Sequence, residues 1–120
     1  MGLLDKIFGK KQPPQPGPPP EHAVLVKFAY GSTDLSRLFA LEEKLEAAVL
    51  AAGVGEFDGN EVAADGSEAT LFLYGPDADA LFAVVRPVLE SADFMRGARA
   101  RLRYGRPGVG VRETVIVIGG

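Results

Sequence analysis

An α+β fold is predicted by two observations. Residues 58–89 read as strand, Asp65-Gly66 turn, strand, tight turn and amphipathic helix, and a strand–helix pair precedes them while another strand follows. The resulting order, β-α-β-β-α-β, is that of the ferredoxin-like α/β plait, here with an extra C-terminal strand. The expected sheet is antiparallel, in the order 4-1-3-2, with the fifth strand beside the fourth and both helices on one face.

The first strand is AVLVKFAY (23–30), an almost continuous apolar run suited to a central position. Ser32, Thr33 and Asp34 are three candidate N-caps for the helix that follows. Leu38, Leu41, Leu45, Ala48, Val49 and Ala52 recur on one face at a 3.6-residue period, and Gly53 is the expected residue after the helix. GEFDGNEVAA (55–64) reads as a polar edge strand.

Asp65-Gly66 predicts a two-residue hairpin turn. That register sets Phe57 opposite Tyr74, Gly59 opposite Phe72 and Glu61 opposite Thr70. The other face pairs Asp58 with Leu73, Asn60 with Leu71 and Val62 with Ala69. ATLFLYG (69–75) is apolar on both faces and should be central. Asp77 or Asp79 caps the second helix, whose stripe is Leu81, Val84, Val85, Val88, Leu89 and Ala92. Pro87 falls beside Arg86 and Glu90, on the side expected to face water. ARARLRY (98–104) alternates strictly, with Ala98, Ala100, Leu102 and Tyr104 opposed to Arg99, Arg101 and Arg103. TVIVIG (114–119) is a fifth strand returning along the fourth.

Three segments are expected: an amphipathic segment at 1–11, a proline-rich linker at 12–22 and the α+β domain at 23–120. In MGLLDKIFGKK, Leu3, Leu4, Ile7 and Phe8 recur at helical spacing beside three lysines, the pattern of a small membrane or partner anchor. Alternatively it is a frayed terminus, since so short a helix is marginal in water. Lys6 stands where an N-myristoylation signal needs Ser or Thr. QPPQPGPPP (12–20) favours an extended polyproline spacer.

The blocks GEFDGNEV, LFLYGPDADALF, VRPVLE and ARLRYG, within residues 23–104, resemble those of a family of small, uncharacterised bacterial proteins. The resemblance implies the same α/β plait. It brings no activity, cofactor or catalytic residue.

Composition removes several chemistries. The chain has no cysteine and one histidine, His22, so disulfides, thiolate metal sites and Cys/His catalytic pairs are excluded. No apolar run reaches the ~18 residues of a membrane span. Without a signal-peptide pattern, cytoplasm is the default expectation. Net charge is −3 but unevenly placed: residues 1–31 carry +2, residues 32–93 carry −10 and residues 94–120 carry +5. Such asymmetry fits either an anion-binding end or acidic and basic elements that neutralise each other.

No catalytic, metal or cofactor residue is assigned. Glu56, Asp58, Asn60 and Glu61 are oxygen donors that strand alternation divides between two faces, and neither YGPDAD nor GRPGVGV is a phosphate loop. The candidate interface or anion-binding set is Lys27, Phe72, Tyr74, Arg99, Arg101 and Arg103, with Arg106 and Arg112 nearby. Val115, Ile116, Val117 and Ile118 are the candidate dimer strand. The leading expectation is a non-enzymatic cytoplasmic domain that forms a homodimer or binds a protein partner through its sheet face. Nucleic-acid or anion binding through the arginine comb is second, and a small-molecule enzyme third. Weak membrane association through 1–11 is a separate expectation.

Overall fold

The computed structural model describes residues 21–119. The anchor reading of 1–11 and the proline tract 12–20 lie outside them. Strand β1 (His22–Ala29) leads into helix α1 (Ser36–Ala52), then β2 (Glu56–Val62), β3 (Glu68–Gly75) and helix α2 (Ala78–Glu90). A 3₁₀ turn at Asp93–Met95, β4 (Arg99–Arg103) and β5 (Glu113–Val117) complete the chain. The strands form one sheet in the order β2-β3-β1-β4-β5, every neighbouring pair antiparallel. β1 begins at His22, inside the stretch read as linker.

The apolar periodicities decide which side of each element is buried. Leu38, Leu41, Leu45 and Val49 of α1 pack in one core with Leu81, Val85 and Leu89 of α2. Val24, Val26, Leu71, Leu73, Ala100 and Leu102 supply the sheet side, at alternate positions of their strands. Ala52, expected on the buried stripe, is exposed in the last residue of α1. In α2 the buried face is rotated from the expected stripe: Phe82 is buried, while Val84 and Val88 are only half-buried. Pro87 is exposed within an unbroken helix, next to the Arg86–Glu90 ion pair at 3.1 Å.

The helix ends show how local chemistry starts them. None of the three candidate caps is the N-cap of α1, which is Leu35 with no side-chain cap bond. Asp34, one residue earlier, braces the first turn, its Oδ1 accepting from the Ser36 N–H at 3.0 Å and the Ser36 hydroxyl at 2.7 Å. Ser32 Oγ in turn accepts from the Asp34 N–H. Asp77 Oδ1 accepts from the N–H groups of Asp79 and Ala80, capping α2. Gly53 closes α1 with φ 66°, donating to the carbonyls of Val49 and Leu50.

The β2–β3 hairpin corrects the expected register in one half. Near the turn, Asn60, Glu61 and Val62 face Leu71, Thr70 and Ala69, as expected. Beyond a bulge between Phe57 and Asn60, Glu56 faces Tyr74 and Phe57 faces Leu73. Gly59, at φ 109°, accommodates the irregularity. The extra residue turns the apolar Phe57 ring toward the core, where it packs against the buried cluster. The expected pairing of Gly59 with Phe72 does not form. The turn is also longer than two residues: Gly66 N–H bonds to the Ala63 carbonyl and Ala63 N–H to the Glu68 carbonyl, with Gly66 left-handed.

Candidate interaction surface: the open face of the sheet

α1 touches β2, and α2 touches β1, β3 and β4, all from one side of the sheet. Among the described residues no element covers the other side. Strand alternation fixes what it displays, and register aligns the strands into rows. Glu56, Tyr74, Ala23, Arg103 and Glu113 form one row across all five strands. Phe72, Leu25, Arg101 and Val115 form the next. Glu61, Thr70, Lys27, Arg99 and Val117 form the third.

All six residues of the candidate interface set therefore share this face. Phe72, Tyr74 and Leu25 are half-buried, giving an apolar ribbon over the two central strands β3 and β1. Val115 and Val117 are 46% and 43% exposed, at the outer strand. The opposite alternation of β5 sends Ile116 toward the core and the strand is followed by Ile118, which is 1% exposed. The run 115–118 thus divides between two sides, with β5 paired along β4 as expected.

Charge is balanced over the face. Its bases are Lys27, Arg99, Arg101 and Arg103; its acids are Glu56, Glu61, Glu68 and Glu113. Arg101 Nη1 bonds to Glu113 Oε1 at 3.0 Å, and Lys27 Nζ lies 3.7 Å from Glu68. Arg103 donates to the carbonyls of Gly105 and Glu21. Among the described residues, Arg99, Glu56 and Glu61 form no ion pair. Two of the acids, Glu56 and Glu61, stand on β2 and the three arginines on β4, with the apolar ribbon between, while Glu68 lies on β3 and Glu113 on β5.

Glu56 reaches this face only because of the bulge. Simple alternation would have placed it with Asn60, on the helix side. Asn60 stays there, and its Nδ2 donates to Glu42 Oε2 of α1. Partial burial raises the Glu42 carboxyl above its ordinary value, and the bond from Asn60 opposes that shift. The oxygen donors of β2 are thus split between two faces. No group of three or more acidic or histidine side chains among the described residues is arranged to hold a metal ion. Two shallow depressions, of about 250 and 320 Å³, flank Lys27 at one end of the face.

The remaining polar side chains singled out in the sequence have local partners. His22 Nδ1 accepts from the Ala78 N–H at 3.0 Å. Tyr104 donates its hydroxyl to Asp79 Oδ1 at 2.7 Å, a bond that, with some desolvation, raises the phenol above its ordinary value. The Arg112 guanidinium lies 4.2 Å from the Tyr104 ring centroid. No helix among the described residues is long and apolar enough to cross a membrane. Comparison with family models, with curated proteins and with solved structures returned no match.

Proposed function

We propose that this chain is a non-enzymatic association domain of ferredoxin-like α/β plait topology, which forms a homodimer or docks a protein partner through its open sheet face. One observation carries the reading: on a face with as many acids as bases, an apolar ribbon on β3 and β1 lies between two glutamates of β2 and three arginines of β4. Half-buried aromatic and aliphatic side chains reward a protein cover by removing apolar area from water. Balanced charge at the margins favours orientation and selectivity over non-specific attraction.

The arginine comb beside Phe72 and Tyr74 supports a second reading, stacking of single-stranded nucleic acid with arginines on its phosphates. It is less well supported, because polyanion binding rests on excess positive charge. Here four glutamates share the face, and Arg101 and Lys27 already have carboxylate partners.

Sedimentation of the full chain over a range of concentrations and salt, beside titration of a labelled single-stranded oligonucleotide, separates the two. The association reading expects mass to rise with concentration or a protein partner to bind, with modest salt dependence. Tight oligonucleotide binding that weakens steeply with salt, without self-association, would replace it with the second reading.

A further inference from the structure

We propose that the open face is covered by a second copy of this chain, related by a two-fold axis that runs parallel to the strands, between β1 and β3. This rests on the reading of that face as an association surface, and names its occupant and geometry.

Stacked sheets whose strands run roughly along one another pack about 10 Å apart. A two-fold axis lying between two such copies runs either along the strands or across them, and the rows of side chains distinguish the two. An axis across the strands, through the middle row, sets each strand over its own copy with the outer rows exchanged. Glu61 then meets Glu56 of the partner subunit, and Arg99 meets Arg103 of the partner subunit. Acid lies on acid and arginine on arginine, which opposes association.

An axis along the strands keeps every row in place and reverses the strand order. Placed between β1 and β3, it sets β3 over the partner's β1 and β2 over the partner's β4. Phe72 then covers the partner's Leu25, and Tyr74 covers the partner's Ala23. Glu56 meets the partner's Arg103, and Glu61 meets the partner's Arg99. Apolar residues lie on apolar residues in the rows of Phe72 and Tyr74, Thr70 covers the partner's Lys27 in the third row, and acid lies on base at both margins.

Side chains without an ion pair among the described residues support the same arrangement. Arg99, Glu56 and Glu61 form none among the described residues, and each receives an opposite charge from the partner. The bulge in β2 fits it too, since it turns Glu56 onto this face. β5 lies outboard of the partner's β2, so Val115 and Val117 border the contact rather than fill its centre.

The test is sedimentation equilibrium of the full chain and four variants, with circular dichroism confirming that each is folded. The wild type is expected to dimerise. Glu61→Arg alone and Arg99→Glu alone should each weaken the dimer by about tenfold or more, because each sets like charges face to face twice. An equimolar mixture of the two, and the chain carrying both changes, should restore association. Single variants that dimerise as well as the wild type, or fail to be rescued, overturn the axis. Tighter association of Glu61→Arg would point to the axis across the strands and also overturn it.

Leu25→Asp separates this failure from failure of the underlying reading, with Phe72→Asp as a second disruption if the first destabilises the fold. A folded Leu25→Asp dimer would remove the face as the contact, and the reading with it. Loss of its dimer while the charge variants remain unaffected would leave the reading intact and overturn the axis alone. A wild type that sediments as a monomer at all concentrations overturns the second copy as occupant. Capture of a different protein through the same face would then retain only the association reading.

Discussion

The backbone N–H of Ala78, at the start of α2, donates to Nδ1 of His22, at the start of β1, across 56 residues of sequence. Ala78 is fully buried beneath the half-buried imidazole, which shields this N–H from water. The bond requires the Nδ1 lone pair and therefore the tautomer protonated at Nε2. The same ring meets Tyr104 edge to face at 5.8 Å. His22→Ala should therefore lower stability by about 1–3 kcal/mol, the cost of an orphaned buried donor. Urea unfolding measures the loss, and the histidine's nitrogen chemical shifts test the tautomer.

Gly66 should tolerate no side chain. Its φ is 75°, and an added Cβ would lie 2.1 Å from the Ser32 carbonyl oxygen, a backbone atom. Its own carbonyl accepts from the N–H groups of Gly31 and Ser32, fastening the hairpin to the end of β1. Gly66→Ala should cost about 2–4 kcal/mol, since strain and the displaced connection act together. Gly97→Ala is the control: φ is 87° but the space around it is open, so only the backbone cost of about 1 kcal/mol applies. Equal losses in thermal melts would refute the contact with Ser32 as the cause.

Acid should weaken the fold through Asp34. The N–H and hydroxyl of Ser36 hold its carboxyl below the ordinary aspartate value of 3.8. Asp65 is lowered in the same way by the side chain and N–H of Ser67. A depressed carboxyl stabilises the fold above its unfolded pKa, and the effect disappears as pH falls through the folded value. Asp34→Ala should therefore show a flatter decline in stability below 3.8 than the wild type. Glu42 has the opposite sign, because burial raises its pKa. Its contribution is present in acid and lost as pH rises through the folded value. Glu42→Gln should consequently gain stability over the wild type at neutral pH and lose that gain in acid, as followed by denaturant melts.

The C-terminal strand should matter on two independent accounts. Removing residues 112–120 takes away buried Ile118, worth about 1.5–3 kcal/mol, and half-buried Ile116, worth roughly half as much. Thermal melting should fall sharply. Val115→Thr and Val117→Thr change only the open face, so monomer stability should stay within about 0.5 kcal/mol. A truncated chain that keeps its melting temperature would show that β5 adds nothing to the core.

Strand order and the buried side of α1 were legible because Leu38, Leu41, Leu45 and Val49 obey one period throughout. The common face of the arginines, Phe72 and Tyr74 followed from alternation in β3 and β4. Less visible were features that depend on contacts distant in sequence. The imidazole bond to Ala78 carries no local signal. Met95 is fully buried in a 3₁₀ turn too short to show periodicity. Arg37 sits over the rings of Tyr30 and Phe94, at 5.6 and 5.2 Å, a pairing that no spacing announces. The bulge was missed for another reason: alternation assumes an unbroken pleat, and one extra residue moved Phe57 and Glu56 to opposite faces from those expected.

The two rims of the sheet have different prospects for growth. Beside the bulge, β2 bends out of the flat ladder that an incoming strand requires, and it presents Glu56, Asp58 and Glu61. β5 pairs evenly along β4 without a register shift, leaving its far edge regular. Templated addition of strands, the step that lengthens a fibril, needs a receptive rim at both ends of each molecule. With one rim blocked, two molecules joined edge to edge through β5 would leave no regular rim exposed, and polymerisation by that route would stop at the pair.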